Sequence, residues 1–171
     1  MRVYLVGMPG CGKSYWMRQL ARHFSVCSYD LDAYIEQKNH ATIPELFQMS
    51  ESHFRKLEHE ALMELAAQVP YNAIISCGGG TPIFFNNMDW MKLDGKVVYI
   101  AATIDTLLRN VTYSYNKRPM LNEHTPNLEQ RILNLYLERK AIYEQANVIL
   151  QAESLTLRTF AASITTFLKS N

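Results

Sequence analysis

Cysteine is scarce in this chain. Its three cysteines, Cys11, Cys27 and Cys77, are odd in number and show no C-x-x-C spacing. That speaks against a disulfide framework and suits a reducing, cytoplasmic compartment. An excess of one charge sign is also missing. Seventeen Lys and Arg stand against sixteen Asp and Glu, a formal net charge of +1, and the charges are dispersed. A nucleic-acid surface normally needs a basic stripe, so no nucleic-acid partner is expected. No apolar run approaches the length of a membrane span, and Met1 leads almost directly into the first apolar segment. The chain is therefore expected to be soluble and cytoplasmic, with no membrane partner and no room for a signal peptide. Its five histidines lack metal-ligand spacing, and neither a linker nor an internal repeat is visible. With 171 residues, 48% of them apolar, one core is affordable and a second domain would be cramped. One domain over 1–171 is expected, with a monomer as the default.

What the sequence does contain is organised around Gly7-Met8-Pro9-Gly10-Cys11-Gly12-Lys13-Ser14. This fits the phosphate-binding pattern G-x-x-x-x-G-K-[ST]. Its glycines let successive backbone N–H groups turn inward around nucleotide phosphates. The lysine reaches the outer phosphates, and the serine hydroxyl can ligate Mg²⁺. The flanks agree with the motif: Val3-Tyr4-Leu5-Val6 reads as a buried strand. After the loop, Trp16, Met17, Leu20, Ala21 and Phe24 recur at helical spacing.

Strands and helices then alternate. Strands are expected at 26–29, 73–76, 97–101 and 148–150. Helices are expected from a capping box at Thr42-Ile43-Pro44-Glu45, along the stripe Phe54, Leu57, Ala61, Leu65, and from an N-cap at Thr81 with Pro82 behind it. Others follow from Thr103 to about Val111, over 128–146 and over 155–168. The polar segment 112–127, with Pro119 and Pro126, is expected to be a mobile lid. Short apolar strands alternating with helices predict an α/β fold, a parallel sheet covered on both faces. In such sheets ligands sit at the carboxyl ends of the strands, which gathers 7–14, Asp30 with Asp32, and Gly78-Gly79-Gly80 at one edge.

Those positions have matching chemistry. If the backbone is still extended at Asp30-Leu31-Asp32, both carboxylates face the same side. One could support a metal through water while the other takes a proton from an acceptor hydroxyl. The same residues also suit a turn with a helix N-cap. Arg55 and Glu58, at i and i+3, make either a surface ion pair or a carboxylate-oriented guanidinium aimed at an anionic acceptor. Three consecutive glycines after a strand point to close approach of a ligand to backbone N–H groups. Arg118 in the lid could stabilise a transferring phosphoryl group on closure, or simply be solvated. Arg139, one turn before Tyr143, could be a second clamp for the acceptor or a partner of Glu138 or Glu144. Cys11, among inward-facing amides at a helix start, is either a reactive thiol shielded by bound nucleotide or a small residue that fits the loop.

Taken in order, these residues resemble the shikimate kinase family. The resemblance rests on the set of 7–14, Asp30-Leu31-Asp32, Phe54-Arg55-Lys56-Leu57-Glu58, Gly78-Gly79-Gly80, Arg118-Pro119-Met120, and Arg139 with Tyr143. It implies a three-layer P-loop NTPase fold with a five-stranded parallel sheet in the order 2-3-1-4-5, an acceptor-binding segment at about 31–62 and a lid at about 112–127. It implies ATP-dependent phosphorylation of the 3-hydroxyl of shikimate, with Mg²⁺, on the route to chorismate and the aromatic amino acids. By that resemblance Gly10, Cys11, Gly12, Lys13, Ser14 and Tyr15 hold the nucleotide, with Arg118 over the phosphates and Arg109 at the adenine. Ser14 and Asp30 serve the metal. Asp32 is the base or orienter, making Asp32, Lys13 and Arg118 the catalytic set. Arg55 and Arg139 clamp the acceptor carboxylate, assisted by Gly78, Gly79 and Gly80. Tyr15 stands where Thr is commoner and Met120 where Leu is usual, and Gln151-Ala152-Glu153 lacks the family's frequent Asp-Thr. Two other readings remain: a kinase of the same fold acting on another metabolite, such as gluconate, or a nucleotide-binding module without catalysis. The presence of Lys13, Asp32 and Arg118 together argues against the latter.

Overall fold

The structure, a computed structural model, describes residues 1–116 and 128–168, and the side chains of these residues except 114–116. Five strands, β1 (Arg2–Val6), β2 (Ser28–Asp30), β3 (Ile74–Ser76), β4 (Gly95–Ala101) and β5 (Val148–Gln151), form one parallel sheet. Their order is β2-β3-β1-β4-β5, as the resemblance implied. β1 sits centrally, with Leu5 facing Ser76 of β3 on one side and Val98 of β4 on the other. Every residue of it is buried, which is why its sequence is continuously apolar after Arg2 rather than alternating. β5 is an edge strand and alternates between half-buried and exposed positions.

Eight helices are described: α1 (Lys13–Phe24), α2 (Leu31–Asn39), α3 (Ile43–Met49), α4 (Glu51–Gln68), α5 (Asn87–Asp94), α6 (Ile104–Asn116), α7 (Leu128–Tyr143) and α8 (Leu157–Leu168). α1 packs its Met17 and Leu20 on the sheet. The capping box at Thr42 is formed: its hydroxyl accepts from the Glu45 N–H, while the Glu45 carboxylate accepts from the Thr42 N–H at 2.7 Å. Arg2, buried in β1, pairs with Asp94 at 2.7 Å, and Tyr4 donates to the same carboxylate at 2.5 Å.

Three expectations need correction. α2 begins at Leu31, so Asp32 lies in a first helical turn and not on extended backbone. Asp30 is the N-cap of that helix, its carboxylate accepting from the N–H groups of Asp32 and Ala33. Thr81 and Pro82 open only a short 3₁₀ turn, Thr81–Ile83, and α5 starts later, at Asn87. The Thr103 hydroxyl does cap α6, accepting from the Thr106 N–H, but that helix runs to Asn116 rather than ending near Val111. Residues 112–116 are therefore helical. Residues 117–127 of the expected lid, Arg118 among them, lie outside the described residues.

Candidate active site

The loop after β1 and the start of α1 form the floor of the site. Gly12 is the residue before α1 and has φ of 97°, a left-handed conformation that a side chain would strain. Lys13 folds over the loop, its Nζ donating to the carbonyls of Gly7 (2.9 Å) and Met8 (3.0 Å). Ser14 Oγ donates to Asp30 Oδ2 at 2.8 Å. Asp30 thus caps α2 with one oxygen and meets Ser14 with the other, so the N-cap reading holds and the second oxygen stays turned towards the loop. A hydroxyl and a carboxylate in contact are hard oxygen donors that fit Mg²⁺. Among the described residues no group of three or more acidic, histidine or cysteine side chains could hold a metal.

A cavity of about 660 Å³ lies over this floor, lined by Lys13, Ser14, Tyr15, Asp30, Asp32 and Gly78, among others. A second, of about 450 Å³, is lined by Cys11, Tyr15, Trp16, Arg109, Ala152 and Glu153. Arg109 thus lines a cavity next to the loop at 7–14. Trp16, Ala152 and Glu153 were not anticipated there. Glu153 is held by the N–H of Thr103 at 2.8 Å, which depresses its carboxyl to about 2. Asn110, from α6, donates to the Gly10 carbonyl at 2.8 Å and ties that helix to the loop.

A third cavity, of about 320 Å³, is built from α3, α4, the glycine turn and α7. Arg55 and Glu58 face it, and they are not a surface pair: Arg55 is 6% exposed and Glu58 1%. Arg55 Nη1 donates to Glu58 Oε2 at 2.7 Å, and its Nη2 to Glu51 at 3.2 Å. Its guanidinium carbon lies 4.6 Å from the ring centroid of Phe84 and 5.1 Å from those of Phe47 and Phe54. Its Nε is buried without a partner among the described residues. A Cβ on Gly80 would overlap the Arg55 guanidinium, so a side chain there would have to displace it. Tyr143, stacked on Tyr99 with centroids 5.0 Å apart, donates to the Gly79 carbonyl at 2.5 Å and holds the turn down. Arg139 lines the same cavity, as do Arg131 and Leu135. Arg131 was missed by sequence reasoning, although its four-residue steps to Leu135 and Arg139 put all three on one side of a helix.

Pro9, Asp32, Gly78 and Gly79 line both the first and the third cavities, so Asp32 stands at their junction. Its carboxyl is pushed up to about 6. Burial is the largest cause, followed by the negative charges of Asp30 and Glu58, with Lys13 pulling the other way.

Cys11 is 3% exposed, with its Sγ 3.7 Å from Lys13 Nζ. Burial favours the reading of a small residue that fits the loop. Alkylation of native protein should therefore be slow at Cys11 and fast at exposed Cys27. Peptide mapping after a timed iodoacetamide pulse checks this, and equal labelling of the two would restore the reactive reading.

A family model for shikimate kinase matches residues 9–169. The shikimate kinase of Bacteroides thetaiotaomicron is 36% identical over 157 residues, covering 91% of this chain and 89% of that one. The crystal structure of a shikimate kinase from Bacteroides thetaiotaomicron matches with a TM-score of 0.87 at 32% identity, over 99% of both chains. The structure of Acinetobacter baumannii shikimate kinase in complex with shikimate matches with a TM-score of 0.81 at 31% identity, over 96% of this chain and 90% of that one.

Proposed function

The chain belongs to the shikimate kinase family, and from that premise we propose that it transfers the γ-phosphoryl group of ATP to the 3-hydroxyl of shikimate. The observation that carries this reading is Asp32 at the junction of two cavities, one over a phosphate-binding loop and one walled by buried Arg55 with Arg139. A volume of about 320 Å³ suits a small ring acid, and two arginines suit its carboxylate.

In this reading Lys13 and the amides of the loop hold the phosphates, and the cavity beside Arg109 and Trp16 takes the adenine. Mg²⁺ supplies charge neutralisation at the phosphates, and Ser14 with Asp30 would hold it, Asp30 through water. Arg55 and Arg139 orient the acceptor by its carboxylate, with Gly79 and Gly80 giving it room to approach the backbone. Asp32 accepts the proton of the attacking hydroxyl. Because phosphoryl transfer needs positioning and charge stabilisation more than covalent help, most of the acceleration comes from these fixed cations and amides. Arg118 is assigned to the transferring phosphate, as the resemblance implies. The domain is taken as one unit over 1–171, monomeric and cytoplasmic.

A coupled assay for ADP release with MgATP tests the reading, with shikimate, gluconate and nucleoside monophosphates as alternative acceptors. Turnover is expected with shikimate alone. No turnover at millimolar shikimate, or faster turnover with gluconate, overturns it.

A further inference from the structure

The anchor of Arg55 is itself anchored, and by residues that no nucleotide or acceptor contact requires. Glu58 has two carboxylate oxygens to satisfy in a site where it is 1% exposed. Oε2 accepts from Arg55 Nη1. Oε1 accepts from the hydroxyl of Thr81 at 2.6 Å, and Thr81 is fully buried. The carbonyl of Thr81 accepts from Asn87 Nδ2 at 2.8 Å. Asn87 is 1% exposed, and its Oδ1 lies 2.7 Å from His59 Nδ1. Since the Asn87 amide nitrogen is committed to Thr81, its oxygen must accept, and His59 Nδ1 carries the proton. His59 follows Glu58 on α4, so the bonds close a ring. Two adjacent residues of one helix grip the same segment, once at the Thr81 hydroxyl and once, through Asn87, at the Thr81 carbonyl.

Local backbone conformation shows that this segment needs holding. Phe85 and Asn86, between the 3₁₀ turn and α5, both have positive φ, 53° and 54°. A left-handed Phe is uncommon and strained, and it persists only where the surroundings over-determine it. His59 stacks on Phe85 with ring centroids 5.1 Å apart. The ring of bonds therefore fixes a strained turn, and with it the position of Gly80 against the Arg55 guanidinium.

We propose that Thr81, Asn87 and His59 are positioning residues for the acceptor, acting through Glu58 to fix the direction in which Arg55 presents its fork. The Thr81 hydroxyl is the central element. Without it, Oε1 of a buried carboxylate loses its donor, and Glu58 turns to share its charge differently with Arg55. The nucleotide half of the site is untouched, because no member of the ring lines the two cavities beside the loop at 7–14. This inference rests on the proposed acceptor site.

The test is Thr81→Val, which keeps the side-chain volume and removes the hydroxyl, set beside Thr81→Ser, which returns it. The KM for shikimate should rise about tenfold in Thr81→Val, with kcat within about twofold and ADP affinity unchanged, and Thr81→Ser should restore it. His59→Phe keeps the stack on Phe85 and loses the Nδ1 donor. It is the second variant should Thr81→Val fold poorly, with an expected rise of about threefold. A readout independent of turnover is the NMR resonance of the Arg55 Nε–H, assigned by its loss in Arg55→Lys. It should be sharp in the unaltered protein and in Thr81→Ser, and broadened in Thr81→Val. An unchanged KM together with an unbroadened signal in Thr81→Val overturns the proposal. If the unaltered protein does not phosphorylate shikimate, the proposed function fails instead, and the Arg55 signal still decides the positioning ring.

Discussion

Asp32→Asn is expected to lower turnover by about 10²–10⁴-fold, to leave ADP binding unchanged and to make the protein more stable at neutral pH. The kinetic part follows from position. Asp32 stands where the cavity over the loop at 7–14 meets the one beside Arg55, the proposed acceptor site, and the Asp30 carboxylate is already engaged with Ser14 and the start of α2. Asparagine keeps the shape and removes the proton acceptor. With its carboxyl pushed up to about 6, the unaltered enzyme should lose kcat/KM for the acceptor about tenfold per pH unit below that value, and should be level above it. The variant should lack this limb. Equal losses in turnover and in ADP affinity would instead move Asp32 to the metal.

The stability part has its own sign. Folding raises the Asp32 carboxyl from 3.8 to about 6, so the folded state holds the proton more tightly than the unfolded chain. Below about pH 4 both states are protonated and the group costs nothing. As pH rises towards 6 the unfolded chain ionises first, and stability falls by about 2 kcal/mol after allowance for partial solvent access. Asparagine never ionises. Thermal midpoints of the two proteins should thus converge below pH 4, and the variant should lie about 4–8 °C higher at pH 7–8. A lower midpoint at pH 8 would show that the ionised carboxylate stabilises the fold. The penalty arises from burial and from Asp30 and Glu58 nearby, the same surroundings that suit Asp32 to the proposed role of base.

How much of this was legible in the sequence depended on how local the signal was. The loop at 7–14 and the strand before it could be read because each carries its own signature over consecutive residues. The capping box at Thr42 was equally plain. Asp30 was readable only as two alternatives, because one carboxylate can cap a helix and meet a serine sixteen residues away, and spacing cannot show that both happen. Thr81-Pro82 has the composition of a helix start. It opens only the 3₁₀ turn Thr81–Ile83, and its hydroxyl donates to Glu58, a partner twenty-three residues earlier that composition cannot show. Burial of the Arg55–Glu58 pair was invisible for the same reason. The apolar lid over it comes from Phe47, Phe54 and Phe84, brought together from α3, α4 and the segment before α5. Glu153 and Trp16 were missed because the second cavity joins parts of the chain more than a hundred residues apart.

Arg55→Ala should raise the KM for shikimate on the order of 100-fold, and it should also destabilise the protein by about 3–5 kcal/mol. The two effects have different origins. The first is the loss of a planar, always-charged fork facing an anionic acceptor. The second arises because Glu58, 1% exposed, keeps the Thr81 hydroxyl but loses its cation. A buried carboxylate without its partner is far more costly than the intact pair. The double variant Arg55→Ala/Glu58→Gln separates them. A neutral amide can still accept from Thr81 and carries no charge to desolvate, so the thermal midpoint should recover most of what the single variant lost. The acceptor KM should stay high, since nothing has replaced the guanidinium, and ADP affinity should be unaltered in both proteins. Recovery of both stability and KM in the double variant would make Arg55 a structural counter-ion for Glu58 and leave Arg139 as the acceptor's anchor. Recovery of stability alone assigns the fork to the acceptor, because the same guanidinium then serves two carboxylates: one belonging to the protein and already in place, the other arriving with the substrate.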